Sequence, residues 1–325
     1  MSATPERPAD PRPVWERALF PEAPALRLAT LRVIVTGVAL AWLLALSPLL
    51  YANLGFPAAR FEPVGVLSVL ASPPGGAVML LVYLATLGVG AAALVGHRYR
   101  VSGPLFALGL LWLTTYRNSW GMVFHTENLV VLHALILAVL PASDAWSLDA
   151  RRERTGVSAQ GNSAAYGWGP RLMATVGVLA YLIAGVAKLR NAGHAWLGGE
   201  VLLTHIAWDN LRKIELGDMH SPIGAWLSTY PAVFPPLAWA SVALELGAPL
   251  ALLHRRLAWI WSIGMWSFHL GVVAIMAIVF PYPLCGAAFA PLFAVEELPR
   301  RLAARARERR PNSRLARWLP NPDDS

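Results

Sequence analysis

The stretch YLIAGVAKLRNAGHAWLGG, residues 181–199, begins as an apolar helix and ends in a glycine-rich turn. Lys188 stands where the apolar run stops. Of 27 basic residues in the chain only two, Lys188 and Lys213, are lysines. Arginine stays protonated under all ordinary conditions, whereas a desolvated lysine can give up its proton. Lys188 is therefore either a snorkelling cation at a helix end or a base.

Working outward, composition fixes the class. The 325 residues are 56% hydrophobic and 14% charged, with a mean hydropathy of +0.48. Soluble proteins carry about 25% charged residues. Several apolar runs approach the roughly 20 residues needed to cross a bilayer. These features predict an all-α polytopic integral membrane helical bundle. The net charge of +8 is no sign of nucleic-acid binding. The arginines cluster in short segments between apolar runs, as the positive-inside rule expects.

About eight spans are expected: 31–50, 77–96, 103–116, 127–140, 170–189, 233–253, 257–280 and 284–295. The mixed segment 190–232 reads as interfacial or re-entrant helices capping the outer face. The basic segments HRYR, RRER, HRR and RRLAARARERR fall on one side if eight spans alternate. Both termini are then cytoplasmic, in a multi-pass protein of the cell membrane (the inner membrane in a Gram-negative cell). The organisation is an N-terminal arm over 1–27, a transmembrane domain over 28–297 and an Arg-rich tail over 298–325. The first thirty residues are Pro- and charge-rich, with no early apolar core ending in a small-residue cleavage site, so a cleavable signal peptide is not expected. The tail could lie along an anionic leaflet. The single cysteine, Cys285, excludes an internal disulfide and reads as a small buried hydrophobe.

Ionisable groups inside spans are costly, which makes them functional candidates. Tyr181 lies seven residues before Lys188, two turns away on one face, with Gly185 between them to admit a close approach. Glu245 sits in ASVALELGAPLALL, where a carboxylate must be protonated or paired. In WSIGMWSFHLGVV, Ser262, Trp266 and His269 share a face suited to a flat ring ligand. In RNSWGMVFHTENLVVLH, His125 and Asn128 are three residues apart, and Glu127 reads as a charge at a helix N-terminus. Each has a blander reading: a snorkelling lysine, a structural ion pair, a core histidine or an interfacial hydrogen bond. Walker, H-E-x-x-H, G-x-S-x-G and dinucleotide motifs are absent, and no metal is expected.

The stretch YLIAGVAKLRNAGHAWLGGEVLL resembles the signature helix of the HTTM family, the horizontally transferred transmembrane domain related to vitamin K-dependent gamma-carboxylase. LPASDAWSLDA is similar to the family's W-S-[LV]-D segment, and SFHLGVVAIMAIVFP to its late helices. The resemblance covers roughly residues 28–297. It implies a membrane quinol pocket, a reduced quinone resembling vitamin K hydroquinone as cofactor, and Lys188 as the base that deprotonates it. His125, Glu245 and His269 would accompany Lys188, and Tyr181, Gly185, Asn128 and Trp266 would line the cofactor. The carboxylases carry an Asn–His pair before the fourth helix; here Asn128 stands near that place with His125 ahead of it. They also carry a large lumenal part for a protein substrate, and this chain ends soon after its last apolar run. Gamma-carboxylation of a protein is therefore not implied. Expected partners are membrane lipid, a quinone and a secreted peptide or protein. The alternative to an enzyme is a non-catalytic helper or immunity protein for a secreted peptide, or a quinone- or lipid-binding membrane protein.

Overall fold

A computed structural model describes residues 12–153, 161–309, 313 and 318–320. Among these, the regular structure is helical, and the one β-bridge joins Ala23 to Ser163. The first half holds α1 (Val14–Leu19), α2 (Ala25–Asn53), α3 (Gly76–Leu94), α4 (Tyr99–Asn118), α5 (Asn128–Ala138) and α6 (Leu148–Glu153). The second holds α7 (Ala164–Ala192), α8 (His194–Leu197), α9 (Glu200–Glu215), α10 (Pro222–Leu227), α11 (Phe234–Leu246), α12 (Arg255–Met276), α13 (Pro281–Leu284) and α14 (Glu297–Arg309).

Four helices, α2, α3, α7 and α12, are long and apolar enough to cross a membrane. Their outward faces are apolar: Leu81 on α3 is 68% exposed and Ile260 on α12 is 69% exposed. Faces of that kind suit hydrocarbon rather than water. The chain is a helical membrane protein.

The other expected spans are less apolar, shorter or broken, and four long apolar helices are established among the described residues. Helix α4 is 20 residues long but carries Arg100 and Arg117, and α5 has only 11 residues. The sixth run stops at Gly247, where the chain tightens into a 3₁₀ turn over Ala248–Leu252 containing Pro249. Proline lacks the N–H that an α-helix needs there. The eighth run, 284–295, takes in only the last residue of α13 and a 3₁₀ segment, Ala287–Leu292, with Cys285 and Gly286, the latter at φ 78°, between them.

Polar groups tie the ends together. Arg32 is fully buried in α2, and its guanidinium donates to Ala142 O at 2.8 Å and Trp146 O at 2.6 Å. Arg27 makes a two-pronged ion pair with Glu296, at 2.9 and 2.6 Å. In the W-S-L-D segment, both carboxylate oxygens of Asp149 accept backbone N–H groups, from Arg98 and Tyr99, each at 2.8 Å. That caps the start of α4, whose first amides have no partner within the helix.

The segment 190–232 completes α7 and forms α8, α9 and α10; α9 and α10 gather over the C-terminal end of α12, while α8 packs against α7 and α11. The last carbonyls of α12 need partners from outside the helix. Ser221 Oγ donates to Ala274 O at 2.5 Å, Asn210 Nδ2 to Ile275 O at 3.1 Å and Lys213 Nζ to Met276 O at 2.5 Å. Lys213 also pairs with Asp209 at 2.8 Å. One of the two lysines is thus a helix cap.

The larger core cluster is built around α2, α3, α4 and α5. A smaller one joins Val178, Ala248, Ala251, Ala258, Trp261, Met265 and Phe289. Tyr181 and Phe268 pack against this second cluster.

Candidate functional site

Helices α7, α11 and α12 build the site. Gly185 on α7 lets α11 come close: a β-carbon there would lie 2.9 Å from Glu245 Cβ and 3.2 Å from Leu246 N. One turn further along α7, Lys188 Nζ donates to Glu245 Oε1 at 2.5 Å. The Glu245 side chain is 4% exposed and that of Lys188 is 19% exposed. The second carboxylate oxygen, Glu245 Oε2, is buried without a hydrogen-bond partner among the described residues. Aromatic rings flank the ammonium, with Trp196 at 4.9 Å and Phe268 at 5.6 Å from Nζ. A cation over an aromatic face is held by the ring's quadrupole.

Two turns back on the same face of α7, Tyr181 Oη shares a 2.9 Å hydrogen bond with His269 Nε2 on α12. His269 Nδ1 is buried and has no partner among the described residues. Phe268 connects the two pairs, because its ring lies 5.4 Å from that of His269 and also flanks Lys188. On the other side the Phe280 ring stands between two histidines, 5.2 Å from His269 and 5.3 Å from His125. The arrangement therefore offers an ion pair and a Tyr–His pair side by side, each with one unused buried polar atom. Carboxylate, amine, phenol and imidazole are all groups that can exchange protons.

Of the residues singled out in the sequence, Lys188, Gly185, Glu245, Tyr181 and His269 come together, with His125 at the edge across Phe280. Two do not. Asn128 is exposed at the start of α5, and its side chain makes no hydrogen bond among the described residues. Trp266 turns away from the Lys188 pair: its Nε1 donates to Leu284 O at 2.9 Å, and it lines a separate groove with Ser262. The face expected to join Ser262, Trp266 and His269 is split, because α12 packs against different neighbours along its length.

Other expectations are corrected too. Cys285 is exposed, not buried, since it follows the broken helix α13 rather than sitting inside a span. Glu127 stands at the N-cap of α5 but is buried, ion-paired with Arg117 and accepting from Trp42 Nε1 at 3.0 Å. Nearby His133 is a core histidine. Its Nε2 lies 3.1 Å from Met173 O, which can only accept, so Nε2 carries the proton and Nδ1 accepts from Tyr282 Oη at 2.7 Å.

The rings around the site, Trp196, Phe268 and Phe280, escaped sequence reasoning. Trp196 stands within the opening motif, and Phe268 adjoins His269; that adjacency was the available signal. Among the described residues no group of three or more His, Cys, Asp or Glu could hold a metal ion.

Neither the curated proteins nor the solved structures contain a match to this chain. The HTTM domain family does match it, over residues 22–297, a stretch that includes all three helices of the site. The chain belongs to the HTTM family.

Proposed function

We propose that this protein is a carboxylase-like, quinol-dependent membrane enzyme in which Lys188 acts as the base. The observation that carries the reading is the buried Lys188–Glu245 pair, set among aromatic rings with one carboxylate oxygen unused. Its residues suit a reduced quinone: Phe268, Phe280 and Trp196 offer ring faces, and Glu245 Oε2 and His269 Nδ1 offer polar atoms to a phenolic hydroxyl. When bound, the reduced quinone would supply an acidic hydroxyl and the electrons for reaction with oxygen.

The chain's own residues would manage the proton. In a low-dielectric wall a charged pair costs more than its neutral form. A shift of the proton from Lys188 Nζ to Glu245 Oε1 leaves an amine lone pair. That amine can take the phenolic proton, and the ammonium so formed stays beside the new anion. Tyr181 and His269 hold the neighbouring wall and pass no net charge into it. Arginine at position 188 cannot follow this course, because it does not deprotonate.

The wider setting belongs to the same proposal. The Arg-rich segments support a multi-pass arrangement in the cell membrane with cytoplasmic termini and the Lys188 end towards the outside. The substrate would be a carbon acid, such as a group on a secreted peptide.

The second reading, a non-catalytic helper, draws support from the closed geometry. At 2.5 Å the pair already satisfies Lys188, as a structural ion pair would. Reduced naphthoquinone and oxygen supplied to the protein in nanodiscs separate the two. Quinone epoxide from the wild type and none from Lys188→Arg supports the enzyme. Bound quinol without epoxide from a folded wild type supports the helper.

A further inference from the structure

A second site lies away from Lys188. Between α12 on one side and the stretch 285–295 with the start of α14 on the other runs a groove of about 670 Å³, open along one side. Its wall on α12 is Arg255, Trp259, Ile263 and Trp266, spaced so that one helix face supplies all four. The opposite wall includes Phe293, whose ring lies 4.2 Å from that of Trp259. From Arg255 to Trp266 the groove runs about 16 Å along the helix, at 1.5 Å per residue. That is about half of a 30 Å hydrocarbon core, the depth of one leaflet.

The charged lining comes from the first residue of α12 and from α14. Arg255 and Arg301 both line the groove, are exposed, and have no ion-pair or hydrogen-bond partner among the described residues. The nearby acidic side chain, Glu297, is engaged by Arg300 at 3.1 Å. An arginine is costly within hydrocarbon, so these residues belong at the membrane surface. The deep end is apolar apart from Ser262, whose buried Oγ has no hydrogen-bond partner among the described residues, and the exposed Cys285.

We propose that this groove binds an anionic phospholipid, with an acyl chain along Trp259, Ile263 and Trp266 and the phosphate between Arg255 and Arg301. The matched depth fits one chain of a lipid, and two unpaired guanidiniums fit a phosphodiester, which accepts several hydrogen bonds from such forks. The site does not depend on the chemistry at Lys188.

Cys285 is the single cysteine in the chain and lines the groove, which makes it a reporter. The full-length protein in a neutral detergent would be treated with a maleimide while phosphatidylglycerol or phosphatidylcholine is added. Phosphatidylglycerol should slow alkylation several-fold, and phosphatidylcholine should do so much less. Arg255→Gln and Arg301→Gln should each weaken the phosphatidylglycerol effect about fivefold, the scale of one basic residue at an anionic membrane. Both substitutions remove exposed, unpaired groups, so the fold survives them. Native mass spectrometry should find phosphatidylglycerol retained by the wild type and lost from the double variant. Equal protection by the two lipids, protection by inorganic phosphate or reduced naphthoquinone instead, or no dependence on the arginines would overturn the assignment.

Discussion

Gly185 on α7 lies against Glu245 on α11, so closely that an added β-carbon would stand 2.9 Å from Glu245 Cβ. The glycine sets the distance at which the carboxylate meets Lys188. Gly185→Ala should force the helices apart and destabilise the protein by about 1–3 kcal/mol. Gly271 offers the control, because nothing lies within 4 Å of its built β-carbon in α12. Gly271→Ala should stabilise by about 0.4–1 kcal/mol. Thermal unfolding in nanodiscs reads both; equal effects would show that the close approach does not matter.

The Lys188–Glu245 pair should behave as a coupled unit. Lys188→Met leaves a buried carboxylate alone, and breaking a buried pair in this way costs about 3–5 kcal/mol. Adding Glu245→Leu should recover most of that loss. A double-mutant cycle on unfolding measures the coupling, and strictly additive losses would contradict the pairing.

Asp149 should matter through its two bonds to the start of α4. Asp149→Ala removes both acceptors and should cost about 0.5–2 kcal/mol, as loss of a helix cap does. Asp149→Asn, which keeps one acceptor oxygen, should cost less. Denaturant midpoints in a mild detergent check the order; no difference between the two variants would contradict the capping role.

Tyr181→Phe strips His269 of its hydrogen-bond partner and leaves both ring nitrogens unsatisfied. A buried group left that way costs about 1–3 kcal/mol. A further His269→Phe substitution should restore much of the loss, since both polar ends are then gone. Unfolding of the three variants gives the comparison, and a second loss as large as the first would argue against the pair.

Much of this was legible in the sequence, for identifiable reasons. Apolar runs announce membrane helices whatever their partners, so α2, α3, α7 and α12 were readable. Lys188, Glu245, Tyr181 and His269 stood out because ionisable or polar groups inside apolar helices need partners. Their pairing was not readable, since residues on α7, α11 and α12 meet only after packing. The split face of α12 shows the same limit: helical spacing brought Trp266 and His269 together on paper, yet Trp266 found Leu284 O. Runs such as 284–295 were overestimated because hydropathy does not register the break at Gly286. Glu127 looked like a terminal charge because Arg117 and Trp42 reach it from other helices.

The most direct test of Lys188 as a base supplies the purified protein in nanodiscs with reduced naphthoquinone and isotopically labelled oxygen. The account predicts that the wild type forms an epoxide carrying one labelled oxygen atom, with the other released as water. It also predicts that Lys188→Arg, which keeps the charge beside Glu245, forms none. Equal epoxide from both proteins would contradict the base. No epoxide from a folded, quinol-bound wild type would contradict the enzyme.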